Sequence, residues 1–396
     1  MHTSVQVTGS KSRWTPAERH LTIGGLLAIG VSFGFARYGY GLFLPDIRRE
    51  FDLSVSFVGL IGSATYVGYL AALLVVGVYS ARLGPRLLVG IGGASAVIGM
   101  GLVAVAPNLL MLTVGLLLAG TSPAWAWAPY SDAVDLVVTP SRRERVLAIV
   151  PAGTAVGTAV VGPLALIATG SAWRQAWIAM AVGAAAVATY NVWAVPARKA
   201  ATTMESPHSI RLSWFVRPAA APLYATALSY GLVGAFFWNY ATEAITTAND
   251  NAASTAMFWT IMGISGTTGV FAGTLLAKLG LRRASALLFA ALGAAVALLG
   301  VLPGSIFAAC ISAILYGPAF MAVSSLLAVW SYQVFPERPT TGFSATLVSL
   351  GVGTVTGPVT LGLVAEGISL RTAFVVTALI ALATTAVHPR VTTHTR

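Results

Sequence analysis

Long apolar stretches separated by short polar ones fill nearly the whole chain of 396 residues. A helix needs about 20 apolar residues to cross a bilayer, and the pattern predicts twelve such spans. Their approximate limits are 22–45, 55–79, 86–106, 109–132, 146–169, 173–195, 220–243, 254–277, 283–303, 306–331, 341–365 and 370–388. The polar stretch 196–219 divides them six and six. The sequence therefore predicts an all-α membrane protein.

Composition agrees with a protein dissolved mainly in lipid. Hydrophobic residues make up 57% of the chain and charged residues 9%, whereas soluble proteins carry about 25% charged residues. The single cysteine, Cys310, excludes a disulfide framework, and the histidines all lie in the tails, in the central loop or, for His388, at the very end of the last predicted span. Gly30-Val-Ser-Phe-Gly34 matches the nucleophile-elbow pattern, but it lies inside one apolar helix without a histidine. We therefore expect no enzyme, no metal and no cofactor.

The basic residues predict the orientation of the spans. Eighteen of the 23 Lys and Arg residues lie on the side of the chain termini, four lie on the other side, and Arg37 lies inside a span. This bias places both termini in the cytoplasm and gives no basic face for nucleic acid. The predicted parts are an N-terminal tail, a six-helix bundle, a cytoplasmic central loop, a second six-helix bundle and a C-terminal tail, at 1–20, 21–195, 196–219, 220–388 and 389–396.

Two similar ten-residue segments, 77–86 and 273–282, lie 196 residues apart. Each copy is a basic turn with two glycines between apolar spans, and the matching residues are Gly77, Arg82, Gly84 and Arg86 in one copy and Gly273, Lys278, Gly280 and Arg282 in the other. Spans five and eleven also match, with Gly153-xxx-Gly157 before Pro163 and Gly353-xxx-Gly357 before Pro358. The pattern indicates a duplicated six-helix unit, as in many transporters.

Over residues 20–390 the chain resembles the major facilitator superfamily. The two basic turns are similar to its signature loops, and the stretches 34–45 and 62–70 resemble its bacterial YbfB/YjiJ-type branch. The resemblance implies two six-helix bundles facing each other across a cavity, in the cytoplasmic membrane of a bacterium. The sequence departs from the family where Ala81 and Ala277 replace the usual acid of the loop, and where Leu116 replaces an arginine that many drug–proton antiporters carry.

Arg37 is the first candidate for substrate binding. An arginine inside a membrane costs roughly 2.5–3.5 kcal/mol on insertion scales, so it should face the bundle interior or water. Guanidinium pairs bidentately with carboxylates, and Tyr40 lies near the same helix face. The alternative is a structural arginine that binds backbone carbonyls or a neighbouring helix.

Three carboxylates are candidates for proton coupling or gating. Glu243 shares a helix face with Asn239 and Tyr240, and the alternative is an ordinary residue at the rim. Asp132 and Asp135 end span four on the cytoplasmic side, where either is a candidate partner for the basic signature loop. Solvated charges at a helix end are the alternative. We assign Glu243 and Asp132 to proton coupling and Asp135 to gating, together with the two loops, Pro163 and Pro358.

Aromatic residues concentrate on the spans that line the cavity in the resembled fold. The candidates for substrate contact are Tyr66, Trp125, Tyr130, Trp238 and Phe320, together with Arg37, Tyr40, Asn239 and Tyr240. Aromatic stripes also serve as packing or interface belts. With Arg37, they favour an organic anion with an apolar or aromatic body.

The sequence thus predicts a secondary active transporter for a small organic solute. We expect alternating access driven by protons, in a monomer whose other partner is the lipid bilayer. One alternative is an efflux pump for drugs or natural products. The other is a membrane sensor on the same scaffold that does not transport.

Overall fold

The computed structural model describes residues 14–167, 172–197, 217–249, 252–336 and 339–389, and every regular element within these ranges is a helix. Most of the two predicted tails and of the predicted central loop lies outside the described residues. The α-helices are α1 (Pro16–Ile29), α2 (Gly39–Phe51), α3 (Val55–Leu83), α4 (Pro85–Val105), α5 (Leu109–Val137), α6 (Pro140–Ile149), α7 (Gly153–Ile167), α8 (Trp173–Ala194), α9 (Ala220–Ala248), α10 (Ala252–Gly266), α11 (Ala272–Val301), α12 (Ile306–Val334), α13 (Pro339–Gly367) and α14 (Leu370–Thr384).

Shorter helical segments of other kinds join some of these helices. The π-helical segment Gly30–Arg37 lies between α1 and α2, so the first span runs from Pro16 to Phe51. The 3-10 turns Val150–Ala152 and Thr267–Phe271 join α6 to α7 and α10 to α11. We call residues 14–197 the N-terminal half and residues 217–389 the C-terminal half. The terminal side is the end of the molecule where α1 begins, and the far side is the opposite end.

Ten helices of the described chain are long and apolar enough to cross a membrane, two fewer than the sequence predicts. The apolar segment Ala253–Val301 has 49 residues and breaks at Gly280, whose backbone is not helical. It therefore contains the predicted spans eight and nine. The last apolar helix, Leu370–Thr384, has only 15 residues. The difference in number thus comes from one merged pair and one short helix.

Polar residues cap the helices that begin on the far side. Ser54, Asn108, Ser305 and Ser369 each accept a hydrogen bond from a backbone N–H in the first turn of α3, α5, α12 and α14. The first N–H groups of a helix have no partner within the helix, so a side-chain acceptor stabilises its start. These caps mark where the apolar spans begin.

Glycines allow close helix packing within each half. A Cβ on Gly34 would lie 2.6 Å from the carbonyl carbon of Gly157, so α7 contacts the π-helical segment through backbone atoms. In the C-terminal half, a Cβ on Gly353 would lie 2.1 Å from the carbonyl oxygen of Leu228, which brings α13 equally close to α9. The predicted glycine ladders therefore serve helix packing, at matching places in the two halves.

The two basic turns share an unusual backbone conformation. Gly84 has φ 77° and ψ 160°, and Gly280 has φ 72° and ψ 163°. Residues with a side chain rarely adopt these angles. By contrast, a Cβ on Gly77 or Gly273 would meet nothing within 4 Å. The repeat in sequence is therefore also a repeat of conformation, and the second glycine of each copy is the one that the turn requires.

The two halves pack against each other along the helix pairs α2–α9, α3–α13 and α7–α10. A Cβ on Gly41 of α2 would lie 1.8 Å from the carbonyl oxygen of Trp238 in α9. Between α7 and α10, a Cβ on Gly263 would lie 2.2 Å from the backbone nitrogen of Ala159. The absence of a side chain at these glycines lets the halves touch through their backbones.

Candidate functional site

Arg37 lies at the end of the π-helical segment, in the middle part of the first span. The N–H of Tyr38 donates to the carbonyl of Phe33 at 2.9 Å, a hydrogen bond that spans five residues instead of four. Such wider turns occur often at functional sites, and this one changes which faces the following side chains present. Sequence periodicity alone, which assumes a regular α-helix, does not predict the segment.

Two tyrosine rings of α3 cover the guanidinium of Arg37. Its Cζ atom lies 4.2 Å from the ring centroid of Tyr66 and 4.2 Å from that of Tyr69, and 5.8 Å from that of Phe33. These distances are within the range of cation–π attraction. No ion pair joins Arg37 to a carboxylate among the described residues. The positive charge is therefore stabilised by aromatic rings and not by a carboxylate of the described chain.

One nitrogen of this guanidinium, Nη1, is buried without a hydrogen-bond partner in the described structure. The indole Nε1 of Trp238, on α9, is also buried and unpartnered among the described residues. Buried donors are nearly always paired in folded proteins, because an unmade hydrogen bond costs about 1–3 kcal/mol. Both atoms are donors, so their natural partner is an acceptor such as a carboxylate oxygen.

A stack of two rings crosses the boundary between the halves next to Arg37. The ring centroids of Tyr38 and Trp238 are 3.9 Å apart, and the ring planes differ by 10°. The ring of Tyr38 also lies 6.2 Å from that of Phe33, which in turn lies 5.8 Å from Cζ of Arg37. The stack therefore joins the surroundings of Arg37 to those of Trp238.

Aromatic rings of α9 and α12 form the opposite wall. Tyr316 and Phe320 are stacked with centroids 5.3 Å apart, and Trp238 meets Phe320 edge-on at 5.5 Å. Tyr230 lies 4.8 Å from Phe320, and its hydroxyl donates to the carbonyl of Phe320 at 2.8 Å. We call the combined set the central site: Arg37, Tyr38, Tyr66, Tyr69, Tyr230, Trp238, Tyr316 and Phe320.

An ion pair closes the far side between the halves. Arg48 of α2 is bonded to Glu243 of α9, and the side chains are 28% and 9% exposed. The other carboxylate oxygen of Glu243, Oε2, is buried and has no hydrogen-bond partner within the described part of the chain. The sequence singled out Glu243 on the seventh span, but it did not identify Arg48 as the partner.

Hydrogen bonds to backbone atoms add to this far-side closure. The hydroxyl of Tyr240 donates to the carbonyl of Val55 at 2.9 Å and also contacts that of Pro358 at 3.3 Å. The carboxylate of Glu366 accepts from the backbone N–H of Ser56 at 2.8 Å. Tyr240 and Pro358, predicted for substrate contact and gating, therefore lie at the seam between the halves.

Two predicted substrate residues on α5 lie away from the central site. Tyr130 is buried against Gly24 and Gly25 of α1 and is bonded to Asn191 of α8. Trp125 packs on Gly92 of α4. The rotation of α5 brings another face toward the centre, so in this conformation both side chains pack within the N-terminal half. On α5 it is Trp127 that contacts Phe33, with ring centroids 5.3 Å apart.

Two further predicted contacts also serve packing. Tyr40 is buried, and its hydroxyl lies 3.3 Å from the carbonyl of Val58, because the π-helical turn changes its direction relative to Arg37. Asn239 is buried next to Gly62 of α3 and donates to the carbonyl of Ala235 at 2.8 Å. Both side chains therefore have partners within the protein.

The central site keeps four of the predicted substrate residues. They are Arg37, Tyr66, Trp238 and Phe320, and the contacts described above bring them together. The sequence did not select Tyr38, although it is the neighbour of Arg37 and contributes the stack on Trp238. The sequence feature that could have identified Tyr38 is its position next to a charged residue inside an apolar span.

On the terminal side, the predicted partners of the signature loop are engaged elsewhere. Asp135 is ion-paired with Arg143 at 3.2 Å, and Arg86 donates to the carbonyl of Val195 at 2.7 Å. Arg282 contacts His388 at 3.1 Å. Asp132 forms no ion pair with any described residue. The expected pairing of the loop with α5 is therefore not formed in this conformation.

The remaining predicted gating residues are exposed. The side chains of Arg82 and Lys278, the basic residues of the two loops, are exposed, and so is Pro163 inside α7. The Asp135–Arg143 ion pair and the Arg282–His388 contact each join residues of the same half, whereas the Arg48–Glu243 ion pair joins the two halves on the far side. The conformation is therefore held closed on the far side.

Sequence reasoning missed Glu18, which is almost fully buried at the start of α1. Its carboxylate accepts from the backbone N–H of Thr15 at 2.9 Å and from that of Thr139 at 3.1 Å, and it pairs with Arg142 at 2.6 Å. The spacing of Thr15 and Glu18 is that of a capping box, so the signal was present in the sequence. This cluster fastens the first span to the connection between α5 and α6.

Comparison with solved structures shows the same fold in several transporters. A bacterial homologue of the human lysosomal transporter Spinster, in an inward-facing and occupied conformation, has a TM-score of 0.75 at 14% identity, over 94% of this chain and 96% of that one. A mutant of the nucleoside transporter NupG has 0.75 at 13% identity, over 92% and 98%. A D-xylose–proton symporter has 0.74 at 15% identity, over 94% and 98%.

The family comparison covers most of the chain. No functionally curated protein matches the sequence. The family model described as "Uncharacterised MFS-type transporter YbfB" matches residues 29–388, which include the central site, the far-side ion pair and both basic turns. These features and this match lead to one assignment: the chain belongs to the YbfB-type family of major facilitator superfamily transporters, and it is a multi-pass membrane transporter, not an enzyme.

Proposed function

We propose that the protein transports a small organic anion with an apolar or aromatic body across the cytoplasmic membrane by alternating access. The observation that carries the proposal is the guanidinium of Arg37, which lies in mid-span with a buried, unpartnered nitrogen and with no carboxylate of the described chain paired to it. A charge inside the membrane is costly, and the tyrosine rings that cover Arg37 do not neutralise it. An anionic solute supplies the missing acceptor and offsets part of that cost.

Proton coupling through Glu243 is the second part of the proposal. Its ion pair with Arg48 holds the halves together on the far side. Proton binding removes the charge of Glu243 and with it the attraction to Arg48, which favours opening toward the far side. A D-xylose–proton symporter has the same fold, which supports the use of protons here. Asp132, which forms no ion pair with a described residue, is a second candidate on the terminal side.

The distribution of charges supports one orientation of the protein in the membrane. The excess of Lys and Arg on the terminal side favours a cytoplasmic location for both termini. The far-side closure then faces away from the cytoplasm, and the basic turns at Gly84 and Gly280 lie on the cytoplasmic face. In this arrangement the two turns act as pivots between spans when one half rocks against the other.

Reconstitution into liposomes tests this function. The purified protein is expected to give uptake of an organic anion that increases with an imposed pH gradient and collapses when a protonophore is added. Flux that persists unchanged with the protonophore contradicts proton coupling but still agrees with a transport function. Anion binding without any flux contradicts transport and favours the sensor interpretation. The sign of the gradient that drives accumulation distinguishes uptake from efflux.

A further inference from the structure

We propose that the central site selects aromatic carboxylates over aliphatic ones, binding the carboxylate at Arg37 and the aromatic ring against the rings of α9 and α12. The inference rests on the proposed function and names the substrate class of the same site. Its basis is that the two walls of the site differ in chemistry: the N-terminal half supplies the charge, and the C-terminal half supplies uncharged aromatic surface.

The wall from the N-terminal half restricts how an anion can approach. The rings of Tyr66 and Tyr69, each 4.2 Å from Cζ of Arg37, cover the guanidinium. A ligand is therefore directed to the N–H edge, where Nη1 is buried and has no partner among the described residues. The edge of a guanidinium matches the two oxygens of a carboxylate through parallel hydrogen bonds.

The wall from the C-terminal half offers aromatic surface against which a ring of the solute can pack. Trp238, Tyr316 and Phe320 contact one another at centroid distances between 5.3 and 5.8 Å, in stacked and edge-on arrangements. Phe320 is only half-buried, whereas the other two are buried. An additional ring against Phe320 would extend this array with the geometry that aromatic pairs prefer. The carboxylate of Glu243, also on α9, is already paired with Arg48.

The stack of Tyr38 on Trp238 connects the two walls. At 3.9 Å and 10° it joins a residue adjacent to Arg37 with the centre of the aromatic wall. A solute whose ring and carboxylate lie close together therefore meets both walls at once. The indole N–H of Trp238, buried and unpartnered in the described structure, supplies a second donor from the C-terminal half, so the bound anion contacts both halves.

Other solute classes satisfy only part of the site. An aliphatic acid pairs with Arg37 but gains no ring contact. An aromatic amine gains ring contact but is repelled by the guanidinium. A neutral sugar or nucleoside leaves the buried N–H groups without a charged acceptor, which weakens binding because hydrogen bonds to ionised groups are the stronger ones.

Equilibrium binding to the full-length protein in detergent, measured by titration calorimetry, tests the inference with matched acids. The pairs are benzoate with cyclohexanecarboxylate, and 3-phenylpropanoate with 3-cyclohexylpropanoate, with benzylamine as the cationic probe. The aromatic acid of each pair is expected to bind about two- to tenfold more tightly, the range of one aromatic contact, and benzylamine is expected not to bind.

Two variants locate the preference. Phe320→Leu is expected to remove most of the aromatic advantage while both acids still bind, and Arg37→Gln is expected to abolish binding of both. Phe307→Leu, on the same helix but 79% exposed, is the matched control and should behave like the native protein. The comparison of acids on the native protein needs no variant, so it decides the question even where a variant does not fold.

The outcomes separate the inference from the proposed function. Equal affinity for the aromatic and aliphatic members of both pairs overturns the inference of aromatic selection, but it still agrees with the proposal that the central site binds anions. Tighter binding of benzylamine than of benzoate, or no binding of any acid, overturns both this inference and the anion proposal.

Discussion

Arg48 and Glu243 form an ion pair across the two halves, although they lie 195 residues apart in the chain. That separation is one residue short of the 196-residue offset between the two basic turns. The two residues therefore occupy nearly equivalent positions, at the far-side ends of the first and seventh spans. The duplication has placed opposite charges at almost the same place in each copy, where the copies meet.

This relationship predicts the behaviour of Glu243→Gln, which keeps the size of the side chain but removes its charge. Loss of this partly buried ion pair is worth at least about 1 kcal/mol, so far-side opening should become at least about fivefold more frequent. The measurement is the labelling rate of Ser63→Cys by a membrane-impermeant maleimide, in a Cys310→Ser background. Ser63 is 3% exposed in the closed conformation.

The control for this measurement is Asp52→Asn, which also removes one far-side carboxylate but alters no ion pair between the halves. Its labelling rate should equal that of the parent. Equal rates for Glu243→Gln and the parent would show that the ion pair does not hold the far side closed.

A second prediction concerns the backbone contact between α2 and α9. In Gly41→Ala the added Cβ would lie 1.8 Å from the carbonyl oxygen of Trp238, which is far inside van der Waals contact. The helices must separate, so the same labelling assay should show faster modification of the introduced cysteine. The matched control is Gly101→Ala, where a Cβ meets nothing within 4 Å. A parent-like rate in Gly41→Ala would contradict the direct contact.

The conformation of the basic turns gives a third prediction. Gly84→Ala and Gly280→Ala force a side chain into a backbone region that costs roughly 1–3 kcal/mol, so each should lower the apparent melting temperature in detergent. Gly273→Ala, in the same repeat but in open helical surroundings, should leave it unchanged or raise it. Similar melting temperatures for all three variants would mean that the turns do not need glycine.

The buried carboxylate of Glu18 gives a fourth prediction. Removing one partner of a buried, hydrogen-bonded ion pair costs about 3–5 kcal/mol, so Glu18→Gln should melt at a clearly lower temperature than the native protein. Glu144→Gln removes an exposed carboxylate from the adjacent α6 and serves as the control. Equal melting temperatures for the two variants would show that the cluster of Glu18, Thr139 and Arg142 does not hold the first span in place.

The fold was predictable because its signals are local and repeated. Apolar length located the spans, and the repeated turn at Gly84 and Gly280 revealed the duplication. The number of separate helices was less predictable, because the helices on either side of Gly280 follow each other without an intervening loop and form one continuous apolar segment. The glycine ladder at Gly157 correctly indicated close packing, although the sequence did not say that its partner was the first span.

The candidate site was predictable only in part, because the identity of single residues does not reveal how each helix is rotated within the bundle. Arg37 stands out in sequence as a charge in an apolar span, and Trp238 as an aromatic on the seventh span. The π-helical segment shifts the faces after Phe33, so that Tyr40 serves packing and the residue after Arg37 forms the stack. Trp125 and Trp127 are two residues apart and point to opposite faces of α5, and nothing local distinguishes them.

The central claim is that Arg37 holds an anionic solute during transport, and counterflow in liposomes tests it most directly. Liposomes loaded with unlabelled benzoate, containing the native protein, should accumulate radiolabelled benzoate from outside. Arg37→Gln should abolish the accumulation and Arg37→Lys should retain part of it, while Arg49→Gln, an exposed arginine, should match the native protein. Undiminished counterflow in Arg37→Gln, at equal reconstituted amounts, would contradict the claim.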